Sequence, residues 1–161
     1  MIRPTVPADT PTLLAITEAT GLFSELDLEA LDSVLDAYHD ENADLGHRCV
    51  TYEQQGQIVA FTYYAPAAMT DRTWYLWWIV VSKQIQAKGL GGELLRLVEE
   101  GARAANGRLM MVETSGLPSY ELTRKFYLKH HYEVAAVLKD YYADGHDMVV
   151  YRKRLQGPLA G

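Results

Sequence analysis

Residues 86 to 95 read QAKGLGGELL, with three glycines within four positions followed at once by leucines and charges at helical spacing. Each of Gly89, Gly91 and Gly92 costs up to about 1 kcal/mol relative to alanine inside a helical turn. The stretch lies between two strongly apolar runs, TWYLWWIVVS and RLMMVETS. A strand as continuously apolar as the second needs cover on both faces, and two strands flanking one helix should be parallel with a right-handed crossover. The centre of the chain therefore demands a β-α-β unit whose helix begins in a glycine-stripped turn.

The rest of the chain adds elements to both sides of this unit. IRPTV is a short strand candidate, and DTPTLLAITEATG is a helix with Asp9 or Thr10 as N-cap, Pro11 in the first turn and Gly21 as its stop. A second helix is expected from about Asp27 to Tyr38, where Glu29, Asp32 and Asp36 alternate with apolar positions as a solvated face would. HRCVTYEQQGQIVAFTYYAP reads as a hairpin. The central helix, 89 to about 105, has an apolar stripe of Leu90, Leu94, Leu97, Val98, Ala102 and Ala105, with Glu93, Arg96, Glu99, Glu100 and Arg103 opposite, and Asn106-Gly107 ends it. LPSYELTRKFYLKHHY is helical from about Pro118 to His130, and two strands close the chain. The order is β-α-α-β-β-β-α-β-α-β-β, a mixed α/β fold with helices on both faces of a mixed sheet. With 161 residues, no linker and no repeat, one domain over 1–161 is expected.

Charge and cysteine usage narrow the function. A net charge of −6 does not favour nucleic-acid phosphates, and no run is apolar and long enough to cross a bilayer, so neither nucleic acid nor membrane is an expected partner. The start of the chain shows no apolar signal-peptide core. The single Cys49 suits a reducing, cytoplasmic setting and reads as a small buried hydrophobe rather than a nucleophile. The five histidines have no metal-ligand spacing, so no metal is expected.

A helix N-terminus bare of side chains offers unpaired N–H groups and the positive end of the helix dipole, which suits phosphate oxygens. A nucleoside-triphosphate loop would need Gly-Lys-Ser/Thr, and Gly91 is followed instead by Gly92-Glu93-Leu94. A dinucleotide fold would want a small residue where Leu94 stands, although Glu113 at the end of the next strand imitates its ribose-binding acid; it remains a rival. VSKQIQAKGLGGELL, with Gln86-Ala87-Lys88-Gly89-Leu90-Gly91 as Q-x-x-G-x-G, resembles the acyl-CoA loop of the GNAT acetyltransferase superfamily, and TRKFYLKHHYE resembles its second signature. The likeness covers almost the whole chain. It implies that Ile79, Val80 and Val81 line the pantetheine arm, and that backbone amides of Gln86, Ala87, Lys88, Gly89, Leu90, Gly91 and Gly92 hold the pyrophosphate of acetyl-CoA. Lys88, Arg124 and Lys125 are candidates for side-chain contacts to the nucleotide.

The resemblance also implies an N-acetyltransferase that joins amine and thioester directly. Tyr127, directly after Phe126, stands where the family's general acid stands. Many relatives carry a glutamate on the strand before the loop, but the corresponding position here is Tyr75, in a strand without a carboxylate. Glu113 is the alternative base, similar to the strand glutamate of ribosomal-protein alanine N-acetyltransferases; capping a loop or pairing with a cation would explain it equally well. Trp74, Trp77, Trp78, Tyr63 and Tyr64 are candidate cleft walls, although most strand aromatics are core. The acceptor, a small-molecule or peptide amine, is not disclosed, and oligomeric state stays open, with a homodimer among the options. A catalytically weak acyl-CoA sensor on the same fold is the competing reading.

Overall fold

The computed structural model describes residues 1–85 and 89–156. Its elements are β1 (Ile2–Pro4), α1 (Thr10–Ala19), α2 (Glu25–Ala37), β2 (Arg48–Gln54), β3 (Gln57–Pro66), β4 (Thr73–Val81), α3 (Leu90–Ala104), β5 (Leu109–Ser115), α4 (Glu121–Lys129), β6 (Glu133–Ala143) and β7 (His146–Arg154). This is the order that the hydrophobic periodicities predict. The strands form one seven-stranded sheet, β1-β2-β3-β4-β5-β7-β6, mixed because β4 and β5 run parallel while β1 and β2, β2 and β3, β5 and β7, and β6 and β7 pair antiparallel. No helix among the described residues is long and apolar enough to cross a membrane.

The chain divides into two compact units, Met1–Ala65 with Trp78–Val98, and Pro66–Trp77 with Glu99–Gly161. In the first, period-2 alternation along β3 sends Phe61, Tyr63 and Ala65 to one face, where they pack with Leu13 of α1 and with Leu31 and Leu35 of α2. Ala60 faces the other way and packs with Leu90 and Leu94 of α3. Both faces of β3 are thus covered by helices. Glu29, Asp32 and Asp36 are exposed, the solvated face that α2 was expected to present. Ser24 caps α2, accepting from the Asp27 amide at 3.2 Å while the Ser24 amide donates back to the Asp27 carboxylate at 2.8 Å. Asp9 does not cap α1 through its side chain: its carboxylate accepts from the Val6 amide and is gripped by both terminal nitrogens of Arg3, at 2.7 and 2.9 Å. A stronger partner outcompetes the cap.

In the second unit α3 ends where the sequence places its stop. Asn106 takes φ +62°, its amide donates to the Arg103 carbonyl at 2.9 Å, and the Gly107 amide reaches back to the Ala102 carbonyl at 2.7 Å. This pair of bonds satisfies the last carbonyls of the helix. Gly107 is also pressed against its surroundings: a Cβ there would stand 2.8 Å from the Ala102 carbonyl oxygen and 2.8 Å from Cδ1 of the buried Trp74. Gly107→Ala should cost about 1–3 kcal/mol through this overlap, and a melting curve that did not move would refute the contact.

The polar face of α3 differs from the periodicity reading at one position. Glu99 is buried, not solvated. Its carboxylate accepts two hydrogen bonds from Lys153 Nζ on β7, at 2.5 and 3.1 Å, and the same ammonium donates to the His130 carbonyl at 3.0 Å. A cation 54 residues away supplies what solvent would otherwise have supplied.

Candidate active site

β4 and β5 pair only from Thr73↔Leu109 to Leu76↔Val112. Glu113 is consequently the first residue of β5 beyond the parallel ladder, at the carboxyl end of a central strand, where open α/β sheets place ligands. Its side chain is exposed. Tyr75 pairs with Met111, two residues before Glu113, so Tyr75 and Glu113 share a face of the sheet. Partial burial, and then the Glu113 carboxylate, push the Tyr75 hydroxyl above the usual tyrosine range. The position at which β4 lacks an acid therefore lies beside one supplied by β5.

Tyr127 is buried, 3% exposed, on the inner face of α4. Its ring lies 5.5 Å from that of Tyr132 and 5.7 Å from that of Tyr151 on β7. Burial, and secondarily the neighbouring Tyr151, raise its pKa well above that of a free tyrosine. The phenol thus keeps its proton at any physiological pH, as a proton donor must. Surrendering that proton completely costs more than the reference value implies, so a strong hydrogen bond suits it better than full transfer.

The connection after β5 is built by contacts that spacing did not reveal. Ser115 Oγ lies 2.7 Å from His146 Nε2 and accepts from the Leu117 amide at 3.1 Å, and the Gly116 amide donates to the Asp147 carbonyl at 2.9 Å. These bonds tie the end of β5 to the start of β7. Arg124, a candidate for a nucleotide contact, donates through Nη1 to the carbonyls of Ser115 and Leu117, each at 2.8 Å. Lys125 pairs with Glu121 one turn away at 3.4 Å. Sequence spacing does not reveal His146 beside a hydroxyl at the carboxyl end of β5, because 31 residues separate the partners. The only local hint is the turn Asp144-Gly145-His146-Asp147, which brings β7 back past the end of β5.

In the first unit the glycine-stripped turn follows the end of β4. Val80 and Val81 are buried and Ile79 is half-buried, and the Ser82 amide donates to Val59 at 2.8 Å, fixing the exit from the strand. Gln86, Ala87 and Lys88 lie outside the described residues. Gly89 takes φ +75°, a left-handed conformation that glycine adopts without steric cost. Helix α3 opens at Leu90, and the Glu93 amide donates to the Gly89 carbonyl at 3.3 Å. The amides of Leu90, Gly91 and Gly92 occupy the first turn, where no intrahelical acceptor exists. Two of those three positions carry no side chain to obstruct an approaching anion.

Most of the candidate aromatic walls are core. Tyr63, Tyr64 and Trp74 are buried, and Tyr63 Oη bonds His47 Nδ1 at 2.7 Å. Trp78 stacks obliquely with Phe23 at 5.2 Å, leaving Trp77, 45% exposed, as the outward-facing tryptophan of β4. Cys49 is buried and its thiol is pushed up to about 12 by desolvation, which suits a packing role and not a nucleophile. Among the described residues no group of three or more His, Cys, Asp or Glu side chains is placed to hold a metal ion.

A left-handed glycine feeding a bare helix start, directly after β4, agrees with what sequence comparison returns. Residues 15–132 match the sequence model of the acetyltransferase (GNAT) family. This chain belongs to the GNAT acetyltransferase family. A GNAT-family protein from Desulfovibrio desulfuricans is 30% identical and superposes with a TM-score of 0.92 over 97% of this chain and 99% of that one. The ribosomal-protein-S18-alanine N-acetyltransferase from Escherichia coli shares the fold at 16% identity, with a TM-score of 0.80 over 100% of this chain and 97% of that one. The yncA protein from Salmonella typhimurium, solved with its cofactor acetyl-CoA, shares it at 17% identity, with a TM-score of 0.77 over 100% and 96%. No curated protein matches in sequence. Family membership removes the dinucleotide-fold rival, because the glycine turn belongs to a GNAT domain and not to a Rossmann unit.

Proposed function

We propose that this GNAT-family chain moves an acetyl group from acetyl-CoA to a primary amine by direct attack, with both substrates bound together. The observation that carries the reading is the left-handed Gly89 preceding the glycine-rich first turn of α3, in the segment that resembles the family's acyl-CoA loop. Backbone amides from residue 86 to Gly92 hold the diphosphate, and Ile79, Val80 and Val81 run along the pantetheine arm. An amide near Val80 or Val81 donates to the thioester carbonyl and stabilises the oxyanion as the amine adds.

Two protons must move. Tyr127 hydrogen-bonds the departing thiolate, and Glu113, exposed at the end of β5, takes a proton from the attacking ammonium. A peptide α-amine, with a pKa near 8, is roughly one-tenth neutral at pH 7, whereas a lysine-type amine near 10.4 is less than about one-thousandth neutral, so the α-amine asks less of any base. Peptides that begin with alanine belong at the head of an acceptor panel, given the fold shared with ribosomal-protein alanine N-acetyltransferases.

CoA release measured across that panel tests the reading, with acetyl-CoA binding followed separately by calorimetry. Tyr127→Phe should lower kcat about 100-fold with little change in the KM for acetyl-CoA. Full activity in that variant removes Tyr127 as the acid. Absence of binding heat removes the transferase reading altogether. The second reading, an acyl-CoA sensor, is favoured by the lack of a carboxylate on β4 and predicts binding without turnover of any amine.

A further inference from the structure

Glu113 and Ser115 stand two residues apart on β5, so both side chains leave the same face of the sheet, with Cα atoms about 7 Å apart. Antiparallel pairing sets Ser115 opposite Met148, and His146, two residues before Met148 on β7, faces the same way. All three residues belong to the second unit. The Glu113 carboxylate is exposed and makes no ion pair or hydrogen bond among the described residues. His146 is half-buried and is held through one ring nitrogen. Nε2 lies 2.7 Å from Ser115 Oγ, and the Tyr142 ring covers the imidazole at a centroid distance of 4.7 Å. Nδ1 has no hydrogen-bond partner among the described residues and is not sealed from solvent. Asp147, the next residue, does not claim it: that carboxylate accepts from the Asp140 amide at 3.0 Å and pairs with Lys139 at 3.3 Å. An imidazole anchored through one nitrogen presents the other in a fixed direction.

We propose that His146 is the second proton acceptor of the transfer. The inference rests on the transferase reading and says where the ammonium's proton goes next. Ser115 Oγ accepts from the Leu117 amide at 3.1 Å, and its second lone pair accepts from Nε2–H, which leaves the lone pair of Nδ1 open. Nδ1 takes from Glu113, directly or through one water, the proton that this carboxylate has drawn from the acceptor ammonium. One N–H bond of the ammonium breaks, one N–H bond forms at Nδ1, and the imidazolium returns its proton to solvent. A carboxylic acid beside a newly neutral amine gives the proton back readily, whereas imidazole is the side chain that holds and releases one near neutrality. Ser115 is a positioning residue in this scheme. Tyr142 and Asp147, the latter paired with Lys139, are the other titratable groups that face the ring.

His146→Gln keeps an Nε2–H group for Ser115 and cannot take a proton. With an alanine-initiated peptide as acceptor it should lower kcat/KM for the amine about 10-fold at pH 7, the factor by which an α-amine falls short of full neutrality there. The deficit should shrink to less than about 2-fold at pH 9, where the amine arrives neutral. The KM for acetyl-CoA and the melting temperature should not move. Nitrogen-15 shifts of the neutral ring in the full chain should place its proton on Nε2. A deficit equal at both pH values marks a purely structural role and overturns the proposal, as does a proton found on Nδ1 or full activity of the variant at pH 7. A parent chain that releases no CoA with any amine fails the transferase reading and takes this one down with it, so the parent's activity tells the two failures apart.

Discussion

Lys153→Met should lower the melting temperature by roughly 6 to 12 °C, the largest loss of stability expected from any single change outside the apolar core. The side chain that remains is almost isosteric, so the loss measures Glu99, left buried without its cation. Breaking a buried ion pair on one side costs about 3 kcal/mol or more, because the orphaned carboxylate cannot regain its hydration. The lower end applies here, as the Lys153 side chain keeps 21% of its exposure while Glu99 keeps 3%. The His130 carbonyl loses its Nζ donor as well. Replacing both partners, Glu99→Leu with Lys153→Met, should recover most of the loss, since two apolar side chains of similar volume leave nothing unpaired. Thermal denaturation of the three variants checks the argument, and a Lys153→Met protein that melts with the parent refutes it.

Gly91→Asp should abolish most acetyl-CoA affinity, weakening it on the order of 100-fold, while leaving the fold at least as stable. The two effects have opposite signs for one reason. An aspartate in the first turn of a helix interacts favourably with the dipole and replaces a poor helix former, so α3 itself gains. The same carboxylate stands among the amides to which the diphosphate is assigned, and repels it at close range. Loss of affinity without loss of melting temperature therefore locates the anion site at the start of α3, whereas unchanged calorimetric affinity removes the diphosphate from that turn. Gly89 is the less discriminating target, because its φ of +75° would strain any substitute and fold damage would mimic a binding defect.

The elements and their order are legible in the amino-acid sequence because each depends on neighbours a few positions away. The leucine stripe of α3, the Asn106-Gly107 stop, the glycines that precede the helix and the apolar run of β5 are local patterns, and the family signatures lie within those same short segments. Partnerships between distant elements are not written in this way. Periodicity sends Glu99 to solvent, yet β7 delivers Lys153 to it, and nothing in the sequence around Arg124 announces that its Nη1 holds the carbonyls of Ser115 and Leu117. Tyr75 and Glu113 become neighbours only because β4 and β5 pair in one particular register, and the same pairing, by ending at Val112, leaves Glu113 open. A side chain's solvation and its charged neighbours set its chemistry, and both are supplied by whatever the folded chain brings against it; the sequence names the groups, and tertiary packing decides which of them remain available to react.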